Sequence, residues 1–421
     1  MRRILNFSKE KTSIVQFMVP IILILISDNI LSFIVPITLN SIVGSSFIVG
    51  LIVGLSSLVG LFSDFIFPSV LKSLSWKIQF LVTIILALFF PIISALGSIY
   101  GVVWIFVLVS ILWGIYYELL IFSEEDFVNT EEVPRDYSRD WSLLLSLNVV
   151  TNISGPIVGS ALLLLPVWNY TFALVGLVVI ALVYTVAVFG VQVYDKNIAE
   201  IPRKRKLGLS RELFRELKLW KEIARESVPF LIMYFVLNWV DMTFFVLGGI
   251  FGIELQGNSG MEWIVLIVYH LPSIVATIVI FRSGIYRKKK LYAIFALIIG
   301  GVFFSLLGFV GGNKTVVLGL IFAGSVAIGF AWPLSKSILS DLGRRAGPYK
   351  KQFMGLYNAT ASVACCTAPS IMGLIADSIG YYWMFSIMGV TCIIVGVLLL
   401  SIVPKRILVM HQKLEAVDVR T

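Results

Sequence analysis

Hydrophobic runs of roughly twenty residues, with no polar residue at every second position, recur along this chain from end to end. The stretch around Ile84–Leu96 is one of them. Hydrocarbon offers backbone N–H and C=O groups no partners, so such runs must fold as helices or close into a barrel. Barrel strands alternate apolar and polar residues, and these runs do not. Of 421 residues, 58% are hydrophobic, enough for about twelve spans at roughly 20 apolar residues each. Only 14% are charged, well under the roughly 25% of soluble domains, which excludes a soluble globular protein and a disordered chain. The expected fold class is an all-α polytopic membrane protein.

Twelve spans are expected, at 13–38, 47–70, 78–97, 101–122, 141–165 and 169–193, then at 226–250, 262–282, 290–311, 315–337, 353–375 and 381–403. The expected organisation is a short tail (1–12), a six-helix bundle (13–193), a basic linker (194–225), a second bundle (226–403) and a closing tail (404–421). The basic start MRRILNFSKEKTS precedes an apolar stretch without a small-residue cleavage site, so it reads as a retained first helix. With these spans, 32 of the 33 Lys and Arg residues fall on one side, and Lys314 alone falls on the other. Basic residues mark the cytoplasmic side, so both ends are expected there, in the plasma (inner) membrane. The net charge of +9 is thereby explained by topology, and nucleic-acid binding is not expected. In the linker, Leu213, Leu217, Trp220 and Ala224 recur at helical spacing among Arg and Lys residues, the pattern of an amphipathic helix attracted to anionic lipid heads.

The halves carry signs of an internal repeat. Pro20 and Asn29 in span 1 have the same spacing as Pro229 and Asn238 in span 7. Gly155-Pro156-Ile157-Val158-Gly159 in span 5 answers Ala368-Pro369-Ser370-Ile371-Met372-Gly373 in span 11. Together with the 6+6 layout and the basic central loop, these features make the chain resemble the major facilitator superfamily. At the junction of spans 2 and 3, that family has Gly-x-x-x-Asp-Arg followed by Gly; here Gly60 and Asp64 are present, but Phe65 and Phe67 replace the Arg and the later Gly. The span 5 signature appears as Thr151 to Ser160, and the stretch from Gly355 through Asp377 and Gly380 is similar to the family's helix 11–12 region. Span 4 lacks the embedded Arg common in the family's proton-coupled drug exporters. The resemblance implies two pseudo-symmetric six-helix bundles, a central cavity lined by spans 1, 4, 7 and 10, and a gating role for Asp64.

A charge at the bilayer centre costs from about 2.5 kcal/mol upward, so embedded ionisable residues usually serve function. Asp28 and Asp241 sit at similar depths in spans 1 and 7, Glu118 near the end of span 4, and His270 in span 8. Asn29 neighbours Asp28, and Tyr234, Asn238 and Asp241 share one helical face. These seven are the candidate substrate and proton-coupling residues, with Asp28 and Asp241 as the proton carriers. Structural carboxylates bonded to Asn, Tyr or backbone are the competing reading. Gly60, Asp64, Gly155, Pro156 and Gly159 are the candidate gating residues, since small residues let helices approach closely and Pro removes a backbone donor. Span 4 and span 10 aromatics, Trp113, Tyr116, Tyr117, Phe330 and Trp332, could stack on a flat or cationic solute.

Cys365, Cys366 and Cys392 lie in apolar segments without metal-ligand or disulfide spacing. No Walker loop or nucleophile triad occurs, so neither an enzyme nor a cofactor or metal is expected. The expectation is a monomeric secondary transporter of a small organic solute, driven by protons. Without embedded Lys or Arg in the cavity spans, a cationic or neutral amphiphile exported as a drug would be is the favoured solute. Proton symport of a neutral nutrient, and a transport-inactive membrane sensor or scaffold, are the alternatives.

Overall fold

The computed structural model describes residues 2–71, 74–129, 137–190, 209–256, 263–283, 288–310, 313–345 and 350–402. Twelve α-helices run through them: α1 (Arg2–Val43), α2 (Ser46–Val70), α3 (Trp76–Tyr100), α4 (Val103–Asn129), α5 (Tyr137–Leu162), α6 (Val167–Phe189), α7 (Leu209–Gln256), α8 (Ile264–Ser283), α9 (Lys289–Ser305), α10 (Lys314–Arg345), α11 (Lys350–Ile379) and α12 (Tyr381–Ile402). No β-strand occurs among the described residues. Ten helices are long and apolar enough to cross a bilayer. Shorter apolar stretches, Leu147–Leu162 and Ile264–Ala276, lie in α5 and α8. In α5 the first turns carry Arg139, Asp140 and Ser142, which shortens its apolar length.

Tight turns join consecutive helices where glycine permits them. Gly44 between α1 and α2 has φ +66°, and Gly380 between α11 and α12 has φ +87°, a region that costs a side-chain-bearing residue. The linker behaves differently from the expected separate amphipathic helix. From Leu209 onward it is continuous with α7, because no Gly or Pro interrupts the chain until Pro229. Arg203 to Lys206 lie outside the described residues.

Two compact units are distinguished: Met1–Ala199 with Phe245–Ile267, and Glu200–Phe244 with Val268–Thr421. The division therefore falls inside α7, between Phe244 and Phe245, and again inside α8, between Ile267 and Val268. In the first unit α3 packs against α4 and α6, α1 against α5 and α6, and α2 against α4. In the second, α9 packs against α10 and α12, and α11 against α12. The α3 and α9 patterns correspond helix for helix, as an internal repeat requires.

Each unit has its own aromatic core. In the first, Phe17 stacks on Phe127 at 3.9 Å and meets Trp76 edge-on at 5.3 Å, joining α1, α3 and α4. In the second, Phe244 stacks on Tyr269 at 4.0 Å and on Phe385 at 4.6 Å, joining α7, α8 and α12. Helices α9 and α12 approach at Gly301 and Gly389: a Cβ on Gly301 would lie 2.7 Å from the Gly389 carbonyl. Such small-residue contacts replace the hydrophobic drive that lipid does not supply.

Candidate transport site

In the first unit, Asp28 is buried in α1 and accepts a hydrogen bond from the Tyr116 hydroxyl of α4. Trp113, one turn earlier on α4, also hydrogen-bonds to the Asp28 carboxyl. Phe90 of α3 backs both aromatic residues, with ring centroids at 5.6 Å from each. Among the described residues no cation pairs with Asp28. The two rings that the sequence offers as stacking platforms therefore serve here as hydrogen-bond donors to an acid.

Asn29 points elsewhere. Its side-chain amide donates to the Leu25 carbonyl (2.9 Å) and to Thr151 Oγ1 of α5 (3.1 Å). A Cβ on Gly155 would sit 2.6 Å from the Asn29 Cβ, and one on Gly159 would sit 2.8 Å from the Phe33 ring. These two glycines let α5 lie directly against α1, and Pro156 between them is accommodated inside a continuous α5.

Glu118, Gly60 and Asp64 come together. Glu118 Oε1 lies 2.8 Å from where a Gly60 Cβ would stand, so the missing side chain houses the carboxylate. Asp64, one turn further along α2, hydrogen-bonds to Glu118. The two acids meet where the resemblance would have an arginine beside Asp64, and Phe65 occupies that position.

In the second unit, Asp241 of α7 accepts a hydrogen bond from the Tyr269 hydroxyl of α8 at 3.1 Å, and His270 lies within its electrostatic reach. Asn238 donates to the Tyr234 carbonyl at 2.7 Å, the same i to i−4 bond that Asn29 makes to Leu25. The acids are not at matching repeat positions: Asp28 stands eight residues after Pro20, and Asp241 twelve after Pro229. Ser32 is the true counterpart of Asp241. Tyr234 meets Trp332 of α10 and Tyr357 of α11 edge-on, each at 5.6 Å.

Lys336 is the residue that sequence reasoning missed. It lies three residues before the end of the candidate span Lys314–Leu339 and is counted from the sequence among the cytoplasmic basic residues. Its proximity to the loop basic residues Arg344 and Arg345 hid it among them. The signal was Trp332 one turn earlier: the Lys336 Nζ stands 5.4 Å from that ring's centroid. Lys336 also lies within electrostatic reach of Asp241. Cation–π contact contributes about 0.5–2 kcal/mol. Tyr116 and Tyr269, the donors to the two acids, were not assigned that role because only the packing of α4 on α1 and α8 on α7 reveals it. No cluster of metal-ligand side chains occurs among the described residues.

Known proteins place this geometry. A search of curated protein sequences finds no match. Among solved structures, nucleoside transporter NupG is similar with a TM-score of 0.69 at 11% identity, over 93% of this chain and 99% of that one. The human organic anion transporter MFSD10 is similar with a TM-score of 0.64 at 14% identity, over 92% and 98%. A POT family transporter in complex with a thioalcohol-conjugated peptide is similar with a TM-score of 0.69 at 12% identity, over 94% and 96%. At such identities the likeness establishes the fold alone. The sequence signature of the Major Facilitator Superfamily matches residues 128–349, more than half of the chain, and with this twelve-helix, two-unit architecture the chain belongs to that superfamily of membrane transporters.

Proposed function

We propose that this chain is a proton-coupled secondary transporter of a small organic solute, working by alternating access in the plasma membrane with both ends in the cytosol. The observation that carries the coupling is Asp28: a buried acid in a membrane helix, held by the neutral donors Tyr116 and Trp113. A carboxyl without a counter-ion in a poorly solvated site is neutralised most cheaply by a proton. Movement between two states that hydrate it differently lets that proton load on one side and leave on the other. Asp241, with the neutral Tyr269 as its hydrogen-bond donor, is the second carrier. The similarity to a nucleoside transporter and an organic anion transporter supports an organic solute. Export of a cationic or neutral amphiphile is the reading the sequence favours, and Lys336 beside Trp332 weighs against a cation.

The test uses purified protein in liposomes loaded with a pH-sensitive dye. Four ring compounds of different charge are supplied outside: benzenesulfonate, phenyltrimethylammonium, phenyl glucoside and phenylalanine. Any compound that the protein carries should shift lumenal pH, and Asp28→Asn should remove the shift. A compound carried across with no change in lumenal pH refutes proton coupling.

A further inference from the structure

Lysines near the end of a membrane helix ordinarily extend toward the nearer water, keeping the ammonium hydrated. Lys336 lies three residues before the end of the candidate span at Leu339, yet its ammonium turns the other way. It stands over Trp332, one turn toward the helix N-terminus and so deeper into the span. The side chain is exposed, and its ammonium faces the Trp332 ring.

Its charge is left open. Among the described residues Lys336 makes no ion pair and no hydrogen bond, and its protein neighbour is the Trp332 ring. A neighbouring pair shows what closure looks like in the same unit: Lys289 of α9 meets Asp341 of α10 at 3.2 Å and Ser337 at 2.8 Å. Asp241 is within electrostatic reach of Lys336, but it accepts from Tyr269 and forms no such bridge. The other groups around this cluster are His270 on α8, Tyr234 on α7, and Tyr357 and Cys365 on α11. None of them is an anion that would complete the lysine.

We propose that Lys336 is the anchor for an anionic group on the solute, with Trp332 providing the face on which the solute's flat apolar part rests. A carboxylate, sulfonate or phosphate would accept from the free ammonium and supply the missing counter-charge. Asp241, within electrostatic reach of Lys336, would reject a second negative charge and favour a monoanion. This inference rests on the transport reading and names the solute class for it.

The test is thermal unfolding of the full chain in detergent at one fixed pH, with benzenesulfonate, phenyltrimethylammonium and phenyl glucoside as matched probes. Benzenesulfonate should raise the unfolding midpoint of the wild type by about 2 °C or more at saturation. The cation should not. The rise should vanish in Lys336→Met and in Lys336→Gln, and persist in Lys336→Arg, which keeps the charge. Equal or greater stabilisation by the cation, survival of the anion effect in both neutral variants, or no response of the wild type to benzenesulfonate overturns the proposal. Binding at one pH does not involve coupling, so anion preference can fail here while the lumenal pH shift stands, and the reverse.

Discussion

Replacing Gly155 with Ala tests how closely α5 must lie against α1. The added Cβ would stand 2.6 Å from the Asn29 Cβ, 2.7 Å from its carbonyl carbon and 2.8 Å from its carbonyl oxygen. Two of those atoms are backbone, so no rotamer change relieves the clash and the helices must separate. Overpacking of this kind costs about 1–3 kcal/mol. Separation also strains the Asn29–Thr151 hydrogen bond (3.1 Å), and interhelical bonds in membranes average about 0.6 kcal/mol. Against this, Ala gains about 1 kcal/mol over Gly in helix propensity. The expected net loss is about 0.5–2.5 kcal/mol. Gly176→Ala on α6 is the matched control, since nothing lies within 4 Å of its added Cβ, and it should gain up to about 1 kcal/mol. The assay is reversible unfolding of purified protein in mixed micelles titrated with SDS, followed by helical circular dichroism. If Gly155→Ala is as stable as Gly176→Ala, the α1–α5 contact does not depend on the missing side chain.

Tyr116→Phe keeps the ring but removes the hydroxyl that donates to Asp28, and a hydrogen bond to a neutral carboxyl contributes about 0.5–1.5 kcal/mol; the same unfolding assay should register a loss, and an unchanged midpoint would deny the bond. A membrane-impermeant cysteine label should reach a cysteine placed at Lys314 from outside intact cells and fail to reach one placed at Arg205; labelling of position 205 from outside would reverse the assigned topology.

The membrane fold was legible because twelve apolar runs leave the backbone no other solution. Helix ends were less legible. The linker's amphipathic stretch and span 7 read as separate elements, but nothing between Leu209 and Pro229 stops a helix, and the chain continues through. The site was half legible. Embedded acids announce themselves by cost alone, which singled out Asp28 and Asp241. Their partners could not be read, since whether Tyr116 stacks on a solute or donates to Asp28 is decided by the packing of one helix on another. Asn29 lies one residue from Asp28, and the 100° between consecutive helical positions turns it to Thr151 on α5. Lys336 was hidden because sequence position places a lysine near a helix end without saying which way it bends.

The claim that a membrane-embedded acid couples solute movement to protons is tested most directly in liposomes containing wild type, Asp28→Asn or Asp241→Asn. The solute is whichever of the four ring compounds the wild type exchanges. Two rates are compared: exchange with equal pH on both sides, and net uptake against a solute gradient under an imposed pH gradient. Asn keeps the volume and hydrogen-bonding capacity of Asp, so each variant should retain equal-pH exchange within about threefold, a difference of about 0.65 kcal/mol, and lose net uptake. Net uptake at wild-type levels in both variants would show that neither carboxyl carries the coupling proton.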